Sequence, residues 1–195
     1  MNSDQIRALI RHKYAEVSIS SAGKFLYPVD KDGAKALGYD PDMIEDAHAK
    51  FFESSCGVGN PFSIGLIEPG DAVLDYGCGA GSDLFVAAKL VGDSGRVCGI
   101  DLTLEMVERA RENFTPAGVR NFEIIKVDSE TIPYNDHSFD VALSNGVINL
   151  SPHKPISFEE IYRVLKTGST LLCADIVLGK ALPASLLGSA EAWSQ

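Results

Sequence analysis

Apolar positions recur along this chain with two different periods. Near the start, Ile6, Ile10 and Tyr14 stand four residues apart, the spacing of one helix face. A polar, glycine-containing stretch follows and holds Tyr27-Pro28. Tyr39-Asp40-Pro41-Asp42 then reads as a turn opening a helix that runs to about Phe52. The glycine-rich residues 54–61, SSCGVGNP, close this part. From Asp71 onward short apolar runs alternate with amphipathic ones. The runs predict strands at 72–76, 96–101, 122–127, 139–144 and 170–178, with helices at 82–90, 104–114 and 156–165. In the helix at 104–114, Met106, Val107, Ala110 and Phe114 share one face. Strands alternating with helices predict an α/β fold, a parallel sheet covered on both faces. The expected division is a helical lid or extension over 1–61 and an α/β domain over 62–195.

Composition narrows the picture. A chain of 195 residues with 45% hydrophobic content suits one α/β core with an extension. The net charge of −10 repels a phosphate backbone, so nucleic acid is not an expected partner. The four cysteines, Cys56, Cys78, Cys98 and Cys173, contain no CxxC spacing, so no zinc site and no other metal is expected. The polar N-terminus lacks a signal core, and no apolar run is long enough to span a bilayer. These features predict a cytoplasmic protein with free thiols.

The first strand carries the chemistry. It runs into Asp75-Tyr76-Gly77-Cys78-Gly79-Ala80-Gly81, and a helix follows. Glycines there allow a sharp bend and a close approach of backbone to ligand, and the helix start offers free N–H groups. The second strand ends in Asp101, 20 residues beyond Gly81, where a carboxylate can accept from both hydroxyls of a ribose. A dinucleotide site requires G-x-G-x-x-G, but the spacing here is G-x-G-x-G, with Asp75 two residues before it. An anion at that point repels pyrophosphate and suits the ammonium of a methionine moiety. Both features favour S-adenosylmethionine over a nicotinamide dinucleotide. Further along the strand ends, Asp128 and Ser129 are candidates for the adenine edge, Asn145 and Gly146 stand beside the presumed methyl donor, and Lys166-Thr167-Gly168 reads as a turn before the fifth strand.

With these motifs in order, VLDYGCGAG, GIDLT, VDSETIP, FDVALSNGVINLSP and YRVLKTG, the span from Asp71 to Val177 resembles a class I S-adenosylmethionine-dependent methyltransferase. Within that class it is most similar to the arsenite methyltransferases, through LFVAAKLVGDSGRVCGIDLT, SNGVINLSPHK and the earlier SCGVGNP. The resemblance implies a Rossmann-like, doubly wound sheet of order 3-2-1-4-5, without the last two strands of the usual seven. It implies S-adenosylmethionine as cofactor, S-adenosylhomocysteine as product and a small-molecule methyl acceptor. It further implies that Asp75, Gly77, Cys78, Gly79 and Gly81 build the cofactor loop and that Asp101 holds the ribose. Leu102, Thr103 and Met106 would flank the adenine, Asp128 and Ser129 would read its edge, and Asn145 would lie near the sulfonium. Tyr14 would close over the cofactor.

The departures bear on the acceptor. Arsenite is thiophilic and is held by several thiolates. Cys56 stands in the matching SCGVGNP segment and is the candidate substrate contact, but the family's SNCVINL cysteine is Gly146 here, and Tyr27-Pro28 lies near the place of an N-terminal cysteine pair. Cys98 and Cys173 read as small fillers of apolar strands. None of His12, His48, His137 and His153 is assigned as a base, because a soft nucleophile needs little acid–base help. Residues 181–193 are expected to form a helix over the fifth strand. Two other readings stay open: a module that keeps the cofactor without turnover or is a fragment of a larger methyltransferase, and a nicotinamide-dependent oxidoreductase.

Overall fold

The computed structural model describes residues 1–45 and 49–180. Five parallel strands form one sheet: β1 (Ala72–Tyr76), β2 (Arg96–Asp101), β3 (Phe122–Lys126), β4 (Phe139–Asn145) and β5 (Leu165–Ala174). Their order is β3-β2-β1-β4-β5, as expected. Three helices connect them: α4 (Ser82–Val91), α5 (Leu104–Phe114) and α6 (Lys154–Val164). Three more precede the sheet: α1 (Ser3–Ile19), α2 (Asp30–Ala36) and α3 (Pro41–Glu45).

Side chains alternate across the sheet, so each strand feeds two cores. Val73 of β1 and Val141 and Leu143 of β4 join the core beneath α4 and α5, with Leu84, Phe85, Val107 and Phe114. Leu74 and Ala142 face the other way and join Ile100, Phe139, Ile161 and Val164 beneath α6. All five residues of β1 are buried, which is why its run is continuously apolar apart from Asp75. The expected face of α5 is the buried one. The first core also draws on the N-terminal part. Phe51 stacks on Phe85 with centroids 4.3 Å apart and meets Phe114 edge-on at 5.0 Å.

Three local details differ from the sequence reading. α2 forms in the stretch read as irregular, with Asp30 and Asp32 in its first turn, where acids favour the helix dipole. α6 ends directly against β5, so Lys166-Thr167-Gly168 is not a separate turn. The sheet absorbs it as a register shift, with Phe139 opposite Leu165 but Val141 opposite Thr170 and Gly168 at φ +85°; such a bulge is the place for a left-handed glycine. The helix expected from Pro41 is observed as α3 and, beyond residues 46–48, as a 3-10 turn at Ala49–Phe51. His48 and the expected helix at 181–193 lie outside the described residues. No helix among the described residues is long and apolar enough to cross a membrane.

Candidate functional site

A cleft opens at the carboxyl ends of β1, β2, β3 and β4, the place where ligands bind open α/β sheets. It encloses about 840 Å³ of space, part of it open to solvent. Its floor is the bend after β1. Gly77, Gly79 and Gly81 all have positive φ, at +82°, +52° and +93°. At Gly77 a Cβ would meet Val147 at 2.4 Å, so this bend admits no side chain. Gly81 caps α4, and Cys78 is buried behind the bend, its sulfur filling the space above Gly99.

Asp101 fixes this bend to β2. One carboxylate oxygen accepts from Gly79 N–H at 2.9 Å and the other from Thr103 N–H at 2.8 Å. Burial raises its pKa, and these N–H donors pull it back down. The Thr103 hydroxyl and the Leu102 N–H also bond to this carboxylate, and Asp101 lines the cleft. Leu102, Thr103 and Met106 line the wall beside it, and Ser129 lines the cleft after β3.

Asp128 stands elsewhere. Its side chain is 74% exposed, paired with Lys126 and, at 3.1 Å, with Arg11, and these contacts lower its pKa. Asp75 is buried just behind Tyr76 and Gly77, with Oδ2 lacking any partner.

Asn145 lines the cleft and also ties it together. Its Oδ1 accepts from Val58 N–H at 2.8 Å and Gly59 N–H at 3.2 Å, and its Nδ2 donates to Gly59 O and to Asp83, both at 2.9 Å. The glycine-rich segment 54–61 is thereby pinned to the end of β4. Gly57 belongs to this junction, since a Cβ there would lie 2.5 Å from Asn145 Nδ2.

The roof is α1, which presents Arg7, Ile10 and Tyr14 to the cleft. Arg7 donates to Glu130 at 2.6 Å, and Glu130 also accepts from Ser151 at 3.1 Å. Ser151 in turn accepts from Ser157, which accepts from Tyr76 of β1, each at 3.0 Å. One chain of polar contacts therefore runs from the central strand to the roof. Ser3 meets His153 at 2.8 Å, and at the far end Ser54 donates to Ser18 O at 3.0 Å.

Tyr14 packs with Phe25, Cys56 and Met106. Burial raises its hydroxyl pKa well above the usual value. Cys56 also lines the cleft, and its thiol is pushed up to about 12 by burial and then by Asp101, with Lys13 opposing. No other cysteine lines the cleft, and all four are free. No group of three metal-ligating side chains occurs among the described residues.

The sequence reading did not find Arg7, Glu130, Ser151, Tyr39 or Asp83. Arg7 had a signal: it lies at i, i+3 and i+7 with Ile10 and Tyr14, a cation on an otherwise apolar face. The others have long-range partners and no local signature. Taken together, the cleft offers apolar walls, a carboxylate among backbone donors, and a buried carboxyl with an unpartnered oxygen behind its floor. Such a lining takes a neutral-to-cationic ligand bearing hydroxyls.

Residues 67–195 match the family model described as a methyltransferase domain. An arsenite methyltransferase of Halobacterium salinarum is 34% identical over 92% of this chain and 49% of its own length. A demethylmenaquinone methyltransferase of Listeria monocytogenes is also 34% identical, over 56% of this chain and 46% of its own. Among solved structures, an arsenic(III) S-adenosylmethionine methyltransferase from Chlamydomonas reinhardtii matches with TM-score 0.62 and 33% identity, over 82% of this chain and 53% of that one. A SAM-dependent methyltransferase from Aquifex aeolicus matches with TM-score 0.56 and 28% identity, over 81% and 80%. The chain spans about half the length, or less, of the curated relatives it matches.

Proposed function

The chain belongs to the methyltransferase domain family, and from that premise we propose that it binds S-adenosylmethionine and transfers the methyl group to a small-molecule acceptor. The observation that carries this reading is the juxtaposition of Asp101 and the glycine bend in one roofed cleft. Two further features fit the cofactor. Gly77 and Gly79 line the cleft with positive φ, so bare backbone faces the ligand there. The partnerless oxygen of Asp75 is an acceptor without a donor, and an amino group supplies one.

In this reading Asp101 accepts from the ribose hydroxyls, Leu102, Thr103 and Met106 flank the adenine, and Ser129 reads its edge. Tyr14 covers the donor, and Asn145 holds the segment that carries Cys56. Residues 1–61 act as the cover and 62–195 as the cofactor-binding part, in a protein of the cytoplasm. When bound, the cofactor supplies a sulfonium methyl carbon open to in-line displacement. The protein aligns the acceptor and excludes water, which are the main needs of such a step. None of the described histidines lines the cleft, which supports an acceptor that needs no strong base, such as a thiol or a metalloid-bearing molecule.

Titration calorimetry with S-adenosylhomocysteine and NADH tests the cofactor. Binding of the first and not the second is expected, and the reverse would make the chain a dinucleotide protein. Turnover of labelled methyl donor across arsenite, thiols and small amines then tests the acceptor class.

A further inference from the structure

We propose that Glu130 is a positioning residue that latches α1 over an occupied cleft and so sets how long the product stays bound; this rests on the cofactor reading above. Glu130 stands one residue beyond Ser129 and lines the cleft, together with Arg7, Tyr76 and Ser151. It is buried, and its two oxygens serve two different elements. Oε2 accepts from Arg7 of α1 at 2.6 Å, and Oε1 accepts from Ser151, beyond the end of β4, at 3.1 Å. Ser151 accepts from Ser157, and Ser157 from Tyr76, the last residue of β1. Gly77 of the bend comes next. One carboxylate therefore joins the roof to the wall after β4 and, through two hydroxyls, to the floor.

The ties of α1 on either side of Arg7 do not share this placement. Arg11 and Asp128 have side chains 39% and 74% exposed, and a pair so open to water contributes little. Ser3 and His153 meet each other, but neither lines the cleft. The side chains of Arg7 and Glu130 are only 13% and 7% exposed. In a buried ion pair, attraction and lost hydration nearly balance. Such a pair suits a latch better than a weld. It holds one geometry closely, and hydration of both ions offsets its loss when α1 lifts. The latched geometry needs the segment after β3, the wall after β4 and the bend in register. A ligand touching Ser129 and the bend holds them so. An occupied cleft thus favours the latched roof, and S-adenosylhomocysteine leaves only after the latch opens. Release steps of this kind govern turnover in many enzymes.

Association and dissociation rates of S-adenosylhomocysteine on the immobilised chain supply the test. Glu130→Gln keeps the size of the side chain and an acceptor for Ser151, and removes the charge. Arg7→Met keeps most of the apolar stem. Each is expected to speed dissociation about 10-fold without slowing association, and the double variant to be no faster than either single one, because all three lose the same contact. Dissociation within about two-fold of the wild type, or a double variant whose effect is the product of the singles, overturns the proposal. Slower association overturns it too, since Glu130 would then be a packing residue whose loss deforms the cleft. Hydrogen exchange at residues 7–14 gives a second readout, one that loss of packing alone would shift equally with and without ligand. Saturating S-adenosylhomocysteine should slow this exchange in the wild type and much less in Glu130→Gln; equal protection in both overturns the proposal. Should the wild type not bind S-adenosylhomocysteine at all, the cofactor reading itself falls, an outcome distinct from these.

Discussion

The floor and the roof of the cleft are held by different kinds of bond. On the floor, Asp101 meets the N–H groups of Gly79 and Thr103, 22 and 2 residues away. Backbone groups make these contacts and the sheet holds them. On the roof, α1 is attached by Ser3 to His153, Arg7 to Glu130 and Arg11 to Asp128, across 150, 123 and 117 residues. Those are side-chain contacts, each replaceable without disturbing a strand. The difference teaches that the floor fixes what kind of ligand is recognised, while the roof governs how firmly the cleft is covered.

The strongest way to break this division is at the floor. Asp101→Ala removes a carboxylate and leaves the part-buried N–H groups of Gly79 and Thr103 without it. Charge-assisted hydrogen bonds contribute about 1.5–3 kcal/mol each. Affinity for S-adenosylhomocysteine should fall at least about 100-fold in calorimetry. A variant that binds within about three-fold of the wild type would show that the roof, rather than the floor, carries recognition.

At the roof, Arg7→Ala strands Glu130, whose side chain is only 7% exposed, with Ser151 as its remaining partner. Breaking a buried pair costs about 3–5 kcal/mol; with Ser151 retained, a loss of about 2 kcal/mol in denaturant unfolding is expected. Replacing both partners by apolar residues, Arg7→Met with Glu130→Leu, should recover most of it. The pH dependence has a definite sign. Burial, the largest single influence, raises Glu130, but the Arg7 hydrogen bond and charge together with hydrogen bonds from its own backbone N–H and from Ser151 outweigh it and bring the carboxyl below its ordinary value. The pair's stabilisation is therefore full above the ordinary glutamate range and is lost as pH falls through the lowered pKa. Arg7→Ala should flatten that acid limb. A double variant as unstable as the single one would contradict a replaceable roof.

The same division explains what the sequence disclosed. The alternation of strands and helices, the glycine bend, Asp101 and the buried face of α5 are readable because their cause is local: a period, a spacing of 20 residues, a helix start; the strand order came only through the family resemblance. Asp128 was legible as a motif position but not as an exposed acid, because Lys126 and Arg11 draw it outward. Tyr39, Asp83 and Glu130 were silent because their partners lie 44 and 123 residues away. The strand β5 was read five residues late because Gly168 mimics a turn.

A smaller effect is expected where the two regions meet. At Gly57→Ala the new methyl would lie 2.5 Å from Asn145 Nδ2, and that side chain is held by five hydrogen bonds. Overpacking of this kind costs about 1–3 kcal/mol; the lower end is expected, since residues 55–60 are only partly buried. Thermal unfolding would report it. An unchanged midpoint would show that the junction yields freely and that Asn145 does not pin the segment.

The smallest effect should come from Cys56, which tests whether the roof carries chemistry of its own. Its thiol is pushed up to about 12 by burial, and the thiolate is the reactive form of cysteine. Alkylation at pH 8 should therefore run on the order of 100-fold or more below that of an unperturbed thiol, and S-adenosylhomocysteine should slow it further by filling the cleft. Cys56→Ser nearly keeps the size of the side chain and leaves the glycine bend and Asp101 in place. Stability and S-adenosylhomocysteine affinity should each stay within about 0.5 kcal/mol of the wild type. Rapid labelling at pH 8 that the ligand does not slow would mean that the thiol is ionised and outside the covered cleft. In that case α1 would not seal Cys56 from solvent, and a single thiolate would have to be counted among the groups that meet the acceptor.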